Sequence, residues 1–262
     1  MKFSTVNDIR YLSFDIFPGY VKQAIFTRSG GTSPAPWNSL NVGSLVGDDL
    51  DNVTNNKRRL FEALSIDARS MFDVWQVHSS DIVIANQPHQ QSSFPPEYKA
   101  DGIVTDQPGV TLFMRFADCT PILLCDPKKQ AIGIVHAGWQ GTVKKAALHA
   151  VKTFQAAFGT DPGDILAAIG PAIGPDHYEV GENVIEQVKH AFGPQSDQVL
   201  LEHNGKIHFN LWEANKISLN EAGVTSVEIA GICTACNTAD WFSHRAEKGK
   251  TGRFGALISL LQ

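Results

Sequence analysis

Residues 117–141 read ADCTPILLCDPKKQAIGIVHAGWQG, and the fold is decided by how this stretch is laid out. A short apolar run, Ile122 to Cys125, is followed by a turn composition at Asp126, Pro127, Lys128 and Lys129. A second apolar run, Ala131 to Val135, then delivers His136 into the small-residue loop Ala137-Gly138-Trp139-Gln140-Gly141. Two β-rich runs joined by a tight turn predict adjacent strands. Their outer ends meet, so Cys119 and His136 are expected side by side. A thiol facing an imidazole is either part of a metal site or a nucleophile–base pair.

Upstream, Val21 to Thr27 reads as a strand that runs into the Gly- and Pro-rich loop starting at Arg28. Asp48 or Asp49 can cap a helix whose apolar stripe is Val53, Leu60, Phe61 and Leu64, with Asn55 to Arg59 on its wet side. Phe72 to Gln76 and Asp81 to Ala85 predict short strands flanking Val77-His78-Ser79-Ser80, and residues 86–99 a surface loop. Strands are expected again at Gly102 to Thr105 and Val110 to Phe116.

Downstream, Thr142 can cap a helix running to Phe158, with Gly159 as its stop. Ile165 to Ile169 and Thr225 to Ile232 read as strands, and a closing strand covers Ala256 to Leu261. Glu182 to Phe192 reads as a helix, as does Leu211 to Ala222 behind Asn210 as cap. Many short strands with fewer helices predict an α+β protein whose sheet faces are covered by helices.

The 262 residues, 43% hydrophobic and 19% charged, describe an ordinary globular chain long enough for one large domain or two fused halves. A net charge of −5 argues against a nucleic-acid partner. No apolar run approaches the ~20 residues of a membrane span, and the N-terminal stretch lacks the apolar core of a secretory signal. Four cysteines are too few for a disulfide scaffold. A cytoplasmic protein with no obligate protein partner is expected.

His78, Cys119 and His136 each stand at the end of a strand-like run. Two imidazoles and a thiolate match a catalytic zinc site with three protein ligands and an open position. The metal-free alternative makes Cys119 a nucleophile and His136 its base, oriented by Asp118 or His78. Cys233 and Cys236 form a single Cys-x-x-Cys, a weak metal signal by itself, for which no disulfide is expected. Arg28, Arg245 and Arg253 lie in polar or Gly-rich loops, where guanidinium groups bind phosphate or carboxylate. Trp139 can stack on a ring; Arg115 is expected to face solvent without a role.

The chain resembles the YfiH-like, laccase-domain-containing proteins, described as multifunctional purine nucleoside enzymes. The resemblance is carried by Phe26-Thr-Arg28-Ser-Gly-Gly31, Ser39-Leu-Asn41, Val46-Gly-Asp-Asp49, Gln76-Val-His78 and Ala100-Asp-Gly-Ile-Val-Thr105. It continues through Ala117-Asp-Cys119-Thr-Pro121, His136-Ala-Gly-Trp-Gln-Gly141, Ile169-Gly-Pro171, Tyr178-Glu-Val180, Cys233-Thr234, Phe242-Ser-His-Arg245 and Thr251-Gly-Arg253. It implies a layered α-β-β-α sandwich built from two similar halves, forming a single catalytic domain over residues 1–262. It also implies a metal, zinc or alternatively copper, on His78, Cys119 and His136, which would be the catalytic residues. Arg28, Asn41, Arg245 and Arg253 are the positions it offers for substrate or phosphate.

The implied activities are phosphorolysis of adenosine, inosine and methylthioadenosine, with adenosine deamination. The alternatives are a copper polyphenol oxidase and a Cys/His hydrolase acting on an amide or aminoacyl bond. Two motifs depart from the family pattern. Gln140 replaces an arginine, and His244-Arg245-Ala246 replaces Tyr-Arg-Arg. Both reduce positive charge near the expected site.

Overall fold

The structure is a computed structural model that describes residues 1–89 and 96–261. The first part of the chain forms β1 (Lys2–Val6), β2 (Ile9–Ser13), β3 (Val21–Phe26), α1 (Leu50–Ala63), β4 (Met71–Phe72), β5 (Ile82–Ile84), β6 (Gly102–Thr105) and β7 (Thr111–Phe116). The middle forms β8 (Thr120–Asp126), β9 (Ala131–Ala137), α2 (Trp139–Val143), α3 (Ala146–Phe158), β10 (Leu166–Ile169) and α4 (Glu182–Phe192). After it come α5 (Ser196–Val199), β11 (Leu200–His203), β12 (Lys206–Phe209), α6 (Leu211–Glu221), β13 (Ser226–Ile229) and β14 (Phe254–Leu260).

Two six-stranded sheets result, ordered β1-β2-β3-β14-β7-β4 and β13-β10-β8-β9-β6-β5, with β11 and β12 as a separate hairpin. The sheets face each other through Leu12, Ile25, Phe116 and Ile258 on one side and Leu123, Ile134 and Ala168 on the other. The outer face of the first sheet packs Phe26, Phe113 and Leu257 against Leu60 and Phe61 of α1. The outer face of the second packs Ile122, Leu124 and Val135 against Val151 and Phe154 of α3 and Leu219 of α6. The order of layers is therefore α-β-β-α, as the resemblance implied.

β8 and β9 lie at the centre of the second sheet and are buried on both faces. That explains their uninterrupted apolar runs, because neither face meets water. Gly133 has no side chain because α3 presses there: a Cβ would stand 2.8 Å from Phe154.

Several expectations shift. Asp49 caps α1 by accepting from Asp51 N, and Asn56 is fully buried rather than on the wet side. Its amide accepts from Thr32 N and donates to Ser39 O and Asn41 O, tying α1 to the Arg28 loop. Thr142 is not a cap: it sits inside α2, and Lys145, in the left-handed region at φ 60, separates α2 from α3. The strand expected over 72–76 shrinks to Met71–Phe72. The sequence reading passed over β1, β2 and the β11–β12 hairpin, whose strands are only four or five residues long. Residues 90–95 of the expected 86–99 loop lie outside the described residues. Among the described residues no helix is long and apolar enough to cross a membrane.

Candidate metal centre and its cavity

The β8–β9 register pairs Pro121 with His136 and Thr120 with Ala137, so Cys119, one residue before β8, emerges beside the end of β9. Asp118 turns the chain into β8 from the left-handed region, φ 76, a conformation costly for a non-glycine residue. Its carboxylate holds that turn by accepting from Thr234 Oγ1 at 2.6 Å and from Arg245 N at 2.6 Å. His78 also lies in the left-handed region, φ 59, on the loop between β4 and β5.

One buried carboxylate positions both imidazoles. Asp101 Oδ1 accepts from His136 Nδ1 at 2.8 Å. Asp101 Oδ2 accepts from Val77 N at 3.1 Å and Ser79 N at 2.6 Å, gripping the His78 loop from both sides. Sequence reasoning gave Asp101 no role, although it lies in the Ala100–Thr105 motif. The partners it joins are 24 and 35 positions away, so spacing carried no signal.

Cys119 Sγ stands 3.9 Å from His78 Nε2, and the ligand atoms of His78, Cys119 and His136 all lie within 4.8 Å of one another. Zn–S near 2.3 Å and Zn–N near 2.0–2.1 Å in a tetrahedron set sulfur and nitrogen about 3.5 Å apart, so the trio fits with small closure. Because His136 donates through Nδ1, its Nε2 is left for a metal, the carboxylate–histidine arrangement of zinc sites. Gly138 makes room: a Cβ there would lie 2.7 Å from Cys119 Sγ and 3.2 Å from His78 Cδ2. Two imidazoles, a thiolate and an oriented tautomer fit a zinc-type ion.

Without metal the trio is already polarised. Burial opposes charge on the Cys119 thiol, but the neighbouring imidazoles outweigh it and hold the thiol down at about 6. Burial likewise works against protonated His136, yet the facing thiolate and Asp101 raise it to about 9. Near neutral pH the metal-free state is a thiolate–imidazolium pair.

The trio opens onto a cavity of about 600 Å³ whose walls include Trp75, Arg115, Trp139, Gln140, Tyr178, His244, Arg245 and Arg253. Of the positions that depart from the family pattern, Gln140 and His244 therefore border it. Arg245 and Arg253 line the wall, and among the described residues their guanidinium groups donate to backbone carbonyls: Glu179 O for Arg245, Thr251 O and Gly252 O for Arg253.

Arg28 is not brought to this cavity. It is buried elsewhere, donating to Asn38 O, Thr238 O and Glu247, with its guanidinium over Phe242. Asn41 is buried as well; its side chain accepts from Gly43 N and Arg253 N, which positions Arg253 rather than facing a ligand. Arg115 corrects the expectation of a solvent-facing residue. It lines the cavity and is held by Asp73 at 2.7 Å and by Gln76, which leaves its charge matched.

Known proteins support the same architecture. YfiH of Bacillus licheniformis superposes with a TM-score of 0.91 at 32% identity, covering 98% of each chain. YlmD of Geobacillus stearothermophilus superposes with a TM-score of 0.91 at 35% identity and 97% coverage of each. By sequence, the purine nucleoside phosphorylase YlmD of Geobacillus stearothermophilus is 38% identical over 239 residues, 88% of this chain and 87% of that protein. The purine nucleoside phosphorylase YfiH of Escherichia coli is 32% identical over 238 residues, 90% of this chain and 92% of that protein. A family model described as multi-copper polyphenol oxidoreductase laccase matches residues 22–261. The donor set does not fit several coppers at this site: the nine histidines contain no His-x-His pair, and the donor cluster gathers one thiol and two imidazoles. The chain belongs to this laccase-domain family, the one that includes the YfiH and YlmD purine nucleoside phosphorylases.

Proposed function

We propose that this chain is a zinc-dependent purine nucleoside phosphorylase, acting on adenosine, inosine and methylthioadenosine, with adenosine deamination as a second reaction of the same cavity. The supporting observation is a single cavity that combines the His78–Cys119–His136 donor set with two arginines free of carboxylate partners among the described residues. We treat residues 1–262 as one catalytic domain. A bound zinc supplies a Lewis acid with an open coordination position.

The chain's own residues account for the rest. Phosphorolysis joins a phosphate oxygen to C1′ of the ribose while the C1′–N bond breaks towards the base, which leaves with the electron pair and takes up a proton. Arg245 and Arg253 are suited to hold and aim the phosphate, since forked donors match its oxygens. Trp139 and Tyr178 offer aromatic wall surface to a purine. Asp101 keeps a proton on His136 Nδ1 and prevents the ring from turning. In deamination, a water oxygen adds at C6 of the base and ammonia leaves, so the cavity must also admit water beside the base.

The test is a nucleoside panel with and without phosphate and chelator, on native protein and Cys119→Ala. Adenine should appear from adenosine only when phosphate is present, and chelator and Cys119→Ala should each abolish its release. Metal-replete protein inert with every purine nucleoside would overturn the proposal.

One observation favours a second reading. Asp101, His136 and Cys119 form an orienter, base and thiol in the order a cysteine hydrolase needs. Hydrolysis of an amide or aminoacyl bond that survives complete chelation would select it. Stoichiometric copper with phenol turnover would instead revive the polyphenol oxidase alternative.

A further inference from the structure

Outside the cavity, a second set of donors comes together from two loops. The loop after β10 carries Asp176 and His177, and the loop after β13 carries Cys233 and Cys236. β10 and β13 run parallel and adjacent, so their following loops emerge on the same edge of the sheet. The loops are stitched by Ala172 N to Ile232 O at 3.2 Å and Thr234 N to Ala172 O at 3.0 Å. Cys236 Sγ lies 3.1 Å from Asp176 Oδ2 and 3.4 Å from His177 Nδ1, while Cys233 Sγ is 3.9 Å from that same nitrogen. All four donor atoms fall within 4.8 Å of one another.

We infer that Asp176, His177, Cys233 and Cys236 form a second, structural zinc site. Two thiols, an imidazole nitrogen and a carboxylate oxygen are soft-to-borderline donors that select zinc over calcium or magnesium. A tetrahedron with Zn–S near 2.3 Å sets its sulfurs about 3.8 Å apart and sulfur from nitrogen or oxygen about 3.5 Å apart. The sulfur–nitrogen and sulfur–oxygen distances above, 3.1–3.9 Å, bracket the second value, and the two sulfurs lie within 4.8 Å of each other. Four protein donors fill the coordination sphere and leave no position for substrate, which marks a structural site.

The surroundings are built for it. Gly174 N donates to Cys233 Sγ at 3.2 Å, an outer-shell bond that favours the thiolate. Gly174 itself admits no side chain: a Cβ would stand 2.5 Å from Asp176 Oδ1 and 3.0 Å from Cys233 Cβ. Cys233 is buried, whereas Asp176, His177 and Cys236 are exposed, which provides a path for the ion. The four cysteines are free thiols.

Bound there, zinc would clamp the two loops that border the cavity. His177 adjoins Tyr178, which lines the cavity wall, and Cys233 adjoins Thr234, which holds Asp118. This inference does not depend on the proposed activity, because its test reads metal and not turnover.

Reduced native protein, Cys119→Ala and Cys236→Ser are loaded with zinc and desalted, and zinc per chain is measured; each is then loaded with cobalt(II) and its near-ultraviolet spectrum recorded. Cys119→Ala removes the cavity thiol, so the thiolate-to-cobalt charge-transfer band it retains must come from Cys233 and Cys236. Native protein should hold one more equivalent of zinc than Cys236→Ser, and Cys119→Ala should keep at least one equivalent together with the cobalt band. Folded Cys119→Ala that binds no zinc and shows no thiolate band would overturn the site. So would Cys236→Ser holding as much zinc as native protein, a result that also serves if Cys119→Ala fails to fold.

Discussion

Asp101→Asn keeps the side-chain shape and removes one acceptor oxygen and the charge. The carboxylate now accepts three N–H groups, from His136 Nδ1 at 2.8 Å, Val77 N at 3.1 Å and Ser79 N at 2.6 Å. An amide has only one oxygen. If it stays with His136, its NH₂ faces two backbone N–H groups on the His78 loop, and each unpaired buried donor costs about 1–3 kcal/mol. If the amide turns over, its NH₂ faces His136, which must then protonate Nε2 and lose the lone pair needed for metal. Either outcome should lower zinc affinity about 10–100-fold, the usual effect of losing an outer-shell partner, or about 1.4–2.7 kcal/mol.

Competition against a chromophoric chelator near neutral pH measures that loss. Thermal unfolding without metal should fall by roughly 4–8 °C for about 2 kcal/mol in a chain of this size. The pH dependence follows the same carboxylate. Burial opposes its charge, but the hydrogen bond from His136 and those from Ser79 and Val77 hold it below the usual carboxylate value. Its stabilisation is therefore present above about pH 4 and lost as pH falls through the lower folded value. Asp101→Asn should flatten that acid limb. Zinc affinity within twofold of native protein, with an unchanged acid limb, would refute the role given to Asp101.

Gly138→Ala is permitted by the backbone at φ −74 but forces a Cβ to within 2.7 Å of Cys119 Sγ, so zinc affinity should drop at least ~10-fold with far less change in melting temperature. Arg245→Ala should raise the KM for phosphate roughly 10–100-fold, the equivalent of about 1.5–3 kcal/mol of charged hydrogen bonding. Arg28→Ala should instead lower the melting temperature through about 2–3 kcal/mol of lost charged hydrogen bonds, leaving the KM for phosphate near native. Alkylation of metal-free protein should label Cys119 with a rate that levels off above about pH 7, since its thiol titrates near 6, and zinc should protect it. Cys125, whose burial pushes its thiol up to about 12, should stay unmodified in the same samples.

The strands and helices were legible because local patterns carry them, whereas the layering and the grouping of His78, Cys119 and His136 rested on the family motifs. The β8–β9 hairpin is announced by its turn residues, and α4 and α6 begin where they were expected, with Asn210 accepting from Glu213 N as the cap of α6. What stayed hidden depends on distant pairing. Arg115 looks like the polar member of a strand until Asp73, 42 positions earlier, is placed beside it. Arg28 resembles a pocket arginine because its partners Thr238 and Glu247 lie over 200 positions away. Cys233 and Cys236 were visible as a pair, but Asp176 and His177 reach them only because β10 and β13 are neighbours. The break at Lys145 is a left-handed lysine, a conformation that composition does not signal.

The placement of β14 bears on how the molecule is made. Residues 254–260 occupy the middle of the first sheet, between β3 and β7, whereas the second sheet is drawn entirely from residues 82–229. During synthesis the second sheet, with Cys119 and His136 at one end, can therefore close while β3 and β7 still lack their common neighbour. Until β14 emerges, the apolar inner face of the second sheet has only a partial cover, and long-range pairing of this kind is slow and prone to association. A nascent chain halted near residue 240 should be the species most in need of a chaperone.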